Sequence, residues 1–159
     1  MDDQQQGGRL FWAVPLDEEV REALREHLRT ELGREGLPGR APRPESWHIT
    51  LRFLGEVTRS QYESSIEAWS RRRAGSPFRV TFGSLGAFPR PERASVLWIG
   101  ITDPSDGLGR LARLAEQSAV EAGFEPEKRG FRPHLTLARL RPPVSLRAVI
   151  ARVKPLGRS

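Results

Sequence analysis

The sequence predicts an α+β fold in which a strand–helix–strand unit occurs twice. Two observations carry this. The segments His48-Ile49-Thr50-Leu51 and His134-Leu135-Thr136-Leu137 share one pattern, and each is preceded by a strand and then a helix. The spacing also matches: Leu10 in the first early strand lies 38 positions before His48, and Leu97 in the second lies 37 before His134. Two copies related by a pseudo-twofold would bring both His-x-Thr strands to the centre of the molecule.

Arg9–Val14 is a short aromatic and β-branched run stopped by Pro15, and reads as a strand. From Asp17 the apolar residues Val20, Leu24, Leu28 and Leu32 recur at helical spacing. Glu18 and Glu19 suit the first turn of that helix, and Gly33 supplies its stop. His27 borders the apolar stripe and reads as a helix-surface residue. Gly36–Glu45, rich in Pro and Gly, reads as a loop. Trp47–Phe53 then alternates, with Trp47, Ile49, Leu51 and Phe53 on one face and His48, Thr50 and Arg52 on the other, as in a half-buried strand.

A second helix is predicted over Ser60–Arg73 with Tyr62, Ile66 and Trp69 on its packed side, and with Arg71-Arg72-Arg73 as a solvated cap. Phe78–Phe82 and Ser95–Ile101 read as strands joined by a Gly/Pro-rich connection. A helix follows over Leu108–Ala122, ended by Gly123. After a basic loop, Pro133–Leu140 alternates again, and a weak helical stretch near Leu146–Val153 comes last. No linker divides the 159 residues, so one domain, 1–159, is expected.

Composition narrows the function. With no cysteine there is no disulfide framework, no thiolate nucleophile and no Cys-based metal site. No run of 18 apolar residues occurs, so no membrane-spanning helix is expected. Met1–Gly8 is polar and lacks the layout of a secretory signal, which makes a cytoplasmic location the default expectation. The net charge of +6 suits a polyanionic partner such as RNA. Lys128 and Lys154 are the only lysines, however, and such a bias to arginine also arises from genome base composition.

The paired motif is the specific signal. For a chain with average composition, two of three histidines each followed by apolar–Thr–apolar is a coincidence on the order of one in ten thousand. In a strand, residues i and i+2 point to the same side, so each His projects with its Thr while the leucines and Ile49 anchor the strand from behind. Two imidazoles can divide the work of opening a cyclic phosphate: one takes the proton of the attacking water and the other protonates the departing ribose oxygen. Threonine hydroxyls can hydrogen-bond the non-bridging oxygens as their charge grows. Strain in a five-membered cyclic ester lessens the need for a metal, and zinc normally takes three or four ligands where only His27 remains besides the pair. No metal and no cofactor is therefore expected. Arg132 and Arg52 share the histidines' parity and are the candidates for binding RNA phosphate. Strand parity puts Arg139 on the opposite face from His134 unless the strand ends or bulges there.

At RLFWAVPLDEEVREAL, WHITLRFLGEV, VLWIGI and FRPHLTLARL the sequence resembles the two-histidine (2H) phosphoesterase superfamily, in its branch of RNA 2′,3′-cyclic phosphodiesterases, formerly called 2′-5′ RNA ligases. The resemblance covers most of the chain in the family's order. It implies a bilobal fold with antiparallel sheets flanking a central cleft, and catalysis by His48, His134, Thr50 and Thr136. It also implies hydrolysis of the cyclic end to a 2′-phosphate, with weak, reversible 2′-5′ joining as a side activity. Arg139 matches a basic residue that follows the second motif, and so joins the substrate-binding candidates. The expected partner is RNA with 2′,3′-cyclic phosphate ends, or a cyclic nucleotide, and the protein is expected to act as a monomer. Members of the superfamily usually continue past the second motif into further strands, which are not present before Ser159. A module of the same superfamily that binds nucleotide or RNA without chemistry is the alternative.

Overall fold

The structure is a computed structural model and describes residues 8–156; the polar start at Met1 and the last residues lie outside the described residues. The elements in chain order are β1 (Gly8–Pro15), α1 (Glu18–Leu32), β2 (His48–Val57), α2 (Arg59–Ser70), β3 (Thr81–Arg90), β4 (Arg93–Thr102), α3 (Gly107–Glu121), β5 (His134–Val144) and α4 (Arg147–Arg152). Short 3-10 turns at Gly33–Glu35 and Pro44–Ser46 flank the predicted loop. The strand order is β1-β2-β5-β4-β3, so the two His-x-Thr strands are neighbours in the middle. The mixed helices and antiparallel pairings bear out the α+β class.

The chain forms two compact units. One comprises the described residues up to Val14 with Thr50–Phe78 and Pro104–Arg132; the other comprises Pro15–Ile49, Arg79–Asp103 and the chain from Pro133. Their boundary cuts β2 between Ile49 and Thr50.

In the second unit α1 begins at Asp17, whose carboxylate accepts the Val20 N–H at 2.9 Å, and stops at Gly33 with φ of 65°. Its stripe of Leu24, Leu28 and Leu32 is buried and joins Leu97, Ile99, Leu135 and Leu137 in one apolar core. His27 is tied to the chain's later part: its Nε2–H donates to the Lys154 carbonyl at 2.6 Å. That matches its reading as a helix-surface residue.

The segment read as a Gly/Pro-rich connection is instead most of a strand. β3 pairs with β4 from Thr81↔Thr102 to Arg90↔Arg93, leaving only Pro91 and Glu92 to turn the hairpin. The glycines there serve packing. A Cβ on Gly86 would lie 2.2 Å from the Trp98 ring, so this position must be bare for the indole to lie over it.

In the first unit α2 carries a capping box, with Thr58 and Gln61 satisfying each other's backbone N–H. Its packed side is not the one the sequence suggested. Ser65 and Ala68 are buried, whereas Tyr62 and Ile66 are exposed; only Trp69 keeps its expected role, stacked 4.9 Å from Trp12. Small residues win that face because they let the backbone approach its neighbours, which bulkier side chains would prevent. Arg71 and Arg72 are not a solvated cap either. Both donate to the Glu121 carboxylate on α3, and these bonds hold the carboxyl below its ordinary range, that of Arg72 most. Phe53, expected in the core beside Trp47, is exposed with the Arg9 guanidinium 5.4 Å above its ring.

These placements predict opposite outcomes for two truncations. Leu97→Ala should lower stability by about 2–5 kcal/mol in urea unfolding, since Leu97 is fully buried. Tyr62→Ala should change it by less than about 0.5 kcal/mol.

Candidate active site

The site residues of the second unit are arranged by β5. Ile49 pairs with Leu135 in antiparallel register. That single register places His48 directly across from Thr136, with His134 diagonal to His48, because cross-strand partners share a face. Ile49 and Leu135 point into the core while His48, His134 and Thr136 point to the other side. Diagonal neighbours of this kind have Cα atoms about 7–8 Å apart, close enough for two imidazoles to flank one small anion. Thr50 continues β2 with the parity of His48, as the first residue of the other unit's second segment.

Each imidazole has a structural handle. The His48 Nδ1–H donates to the Ser46 carbonyl at 2.7 Å. In the neutral ring this bond places the proton on Nδ1 and the lone pair on Nε2. His134 is enclosed by two aromatic rings: the Phe88 ring meets it edge-on at 5.5 Å, and Trp98 lies 6.0 Å away. Phe88 and Trp98 also pack on each other at 5.2 Å, on the patch that Gly86 leaves open. Sequence reading gave neither ring a role. The signal was present in VLWIGI, where Trp98 alternates with the core residues Leu97 and Ile99 and so belongs to the face of the histidines.

The arginine candidates separate. β5 pairs with β4 as Trp98↔Thr136 and then as Leu97↔Ala138, so one extra residue, Leu137, is accommodated in between. This bulge reverses the parity of the residues beyond it. Arg139, opposite Val96, therefore lies on the face of Trp98, Thr136 and His134, which a regular strand would forbid. Leu137 and Ala138 are both fully buried and Arg139 is exposed, as that geometry requires. Arg132 is exposed at the end of the first unit's last segment.

Arg52 is turned inward. Its Nε donates to Glu116 at 2.5 Å, Nη1 to the Phe53 carbonyl at 2.6 Å and Nη2 to the Glu125 carbonyl at 2.5 Å, with the Glu127 carboxylate 3.8 Å away. Glu116 also accepts the Glu127 N–H at 2.9 Å, so the guanidinium and this carboxylate together pin the 125–127 segment to β2 and α3. The Glu127 carboxyl is held below its ordinary range, first by the Arg129 N–H that donates to it and further by the Arg52 charge. With its donors engaged in this network, Arg52 is an ion-pair hub of its unit.

Among the described residues, no group of three or more His, Asp or Glu is placed to hold a metal ion, and no helix is long and apolar enough to cross a membrane.

A model of the LigT-like phosphoesterase family matches residues 14–98 and 99–158. The RNA 2′,3′-cyclic phosphodiesterase of Aeropyrum pernix is 36% identical over 130 residues, which is 82% of this chain and 73% of that protein. The RNA 2′,3′-cyclic phosphodiesterase of Archaeoglobus fulgidus is 37% identical over 133 residues, 84% of this chain and 73% of that protein. Among solved structures, that of E. coli LigT complexed with 3′-AMP superimposes with a TM-score of 0.66 at 30% identity, covering 88% of this chain and 80% of that one. The resemblance carried by the two His-x-Thr motifs is thus matched by a family model spanning nearly the whole sequence, and the chain belongs to the LigT-like phosphoesterases of the 2H superfamily.

Proposed function

We propose that this protein is an RNA 2′,3′-cyclic phosphodiesterase that opens cyclic ends to a 2′-phosphate by acid–base catalysis between His48 and His134. The observation that carries this reading is the Ile49↔Leu135 register, which supports a pair of imidazoles on one face with Thr136 beside both. Relatives named RNA 2′,3′-cyclic phosphodiesterase favour turnover over a binding-only module.

In the proposed reaction a water attacks phosphorus in line with the P–O3′ bond. One imidazole takes the water's proton as the new P–O bond forms. The other gives its proton to O3′ as that bond breaks, leaving the 2′-phosphate and a free 3′-hydroxyl. The Nδ1–H bond of His48 to the Ser46 carbonyl orients Nε2 as its proton-exchanging nitrogen. Thr136 and Thr50 would donate to the non-bridging oxygens, where charge accumulates. Arg139 would contact phosphate of the RNA strand from the face its bulge gives it, with Arg132 as a further contact. Arg52 has no part in substrate binding here and acts on the fold of its own unit.

Hydrolysis of 2′,3′-cyclic AMP in excess EDTA, followed by chromatography, tests the reading. The product should be 2′-AMP, and His48→Ala and His134→Ala should each lower kcat by roughly 10²–10⁴-fold. A folded protein that turns over neither this substrate nor an RNA cyclic end would overturn it. Thr136→Ala should cost roughly 10²-fold in kcat while the protein's unfolding midpoint stays near that of the parent. Arg52→Ala should behave in the opposite way. It leaves the half-buried Glu116 without its partner and should lower stability by about 1–3 kcal/mol in urea unfolding.

A further inference from the structure

We propose that Arg40 is a second phosphate-binding arginine, set beside Arg139 to grip the internucleotide phosphate of an RNA strand next to its cyclic end. Arg40 lies in the loop between α1 and β2, yet it is bound to β5 like a strand residue. Its N–H donates to the Arg139 carbonyl at 2.8 Å, and the Arg139 N–H donates to the Arg40 carbonyl at 2.9 Å. Residues that exchange both bonds in this way project their side chains to the same face. That face, after the bulge at Leu137, is the one carrying His134 and Thr136.

The approach depends on Gly39. Its φ is +67°, and a Cβ there would lie 2.5 Å from the Arg139 carbonyl oxygen and 2.9 Å from the Leu140 side chain. A residue with a side chain would push the loop off β5 and take Arg40 with it.

Two guanidiniums held directly opposite each other repel. Some other arginines of this unit meet carboxylates, as Arg147 meets Glu92. Arg40 and Arg139 are both exposed, and neither forms an ion pair or side-chain hydrogen bond among the described residues. An anion between them relieves the repulsion, and a phosphate accepts from both forks.

Position identifies which phosphate. From the Trp98↔Thr136 level to the Val96↔Arg139 level is two residues of β4, about 7 Å. This is the distance over which a single-stranded backbone passes from one phosphate to the next. A cyclic mononucleotide ends before it, whereas an oligonucleotide carries an anionic diester there. The arginine pair therefore selects polymer ends over free cyclic nucleotides.

This inference rests on the hydrolase reading for its kinetic arm only. The test compares the parent protein, Arg40→Gln and Gly39→Ala on 2′,3′-cyclic AMP and on an oligoadenylate with a 2′,3′-cyclic end. In both variants the ratio of kcat/KM on the oligonucleotide to that on the mononucleotide should fall about tenfold. Gly39→Ala removes no charge, so its loss would report the seating of Arg40. In parallel, binding of a fluorescent oligoadenylate with a 3′-phosphate is measured across salt concentrations. Losing one phosphate contact should reduce the slope of log K against log salt by about 0.7 for a single strand. An unchanged ratio together with an unchanged slope overturns the assignment. An equal loss on both substrates also overturns it, since Arg40 would then touch the reacting phosphate. If the parent protein turns over neither substrate, the hydrolase reading fails and the salt slope alone decides Arg40.

Discussion

Leu137 lets β5 meet two demands that a regular strand cannot meet together. On one side of the bulge Leu135 must face the core while His134 and Thr136 face outward; on the other, Ala138 and Leu140 must face the core while Arg139 faces outward. Strict alternation would set Ala138 beside the histidines and bury Arg139, which is costly for an unpaired guanidinium. Inserting one residue at the core side resolves both. The same strand fixes the other neighbours. Ile49 takes its register from Leu135, Trp98 stands across from Thr136, and Arg40 is bonded to Arg139. Displacing β5 by one residue would turn all of these side chains to the wrong face.

Around that strand the second unit packs its chemistry and its core on opposite sides. Leu24, Leu28 and Leu32 of α1 close one face over Leu97, Ile99 and Leu135. The other face is lined by Phe88, Trp98 and His134, which touch through their rings. Gly86 and Gly39 serve the same end at different places: each lies where a Cβ would meet an atom of that face's framework at 2.5 Å or less. The imidazoles are thus held by a carbonyl at His48 and by aromatic edges at His134, two different constraints for two residues of one repeated motif.

The arginines show how little a net charge says about use. Arg52 is spent on Glu116 and the 125–127 backbone, and Arg71 and Arg72 on Glu121. These are structural ties within the first unit. Arg40 and Arg139 differ because the strand geometry puts two positive charges together with no acid between them. The composition is the same for both groups; the partner decides.

The sequence by itself determined most of the element order and singled out the candidate site residues, because these depend on local periodicity and on residue type. Alternation placed His48 with Thr50 and His134 with Thr136, Asp17 and Gly33 marked the ends of α1, and the repeat pointed to both His-x-Thr strands lying at the centre. Tertiary structure decided what depends on contacts between distant segments. The repeat does not say which unit each helix joins; α1 belongs to the unit of β4 and β5, and α3 to the unit containing β1 and most of β2. The face of α2 followed close packing around Ser65 and Ala68, which a hydrophobicity pattern does not register. Gly86 reads as part of a connection because a bare position beneath a tryptophan ring looks, one residue at a time, like a turn. The surroundings of Arg52 and Arg139 were hidden for the same reason: parity can be counted along a strand, but a bulge and a carboxylate partner are set by the neighbouring strand and helix.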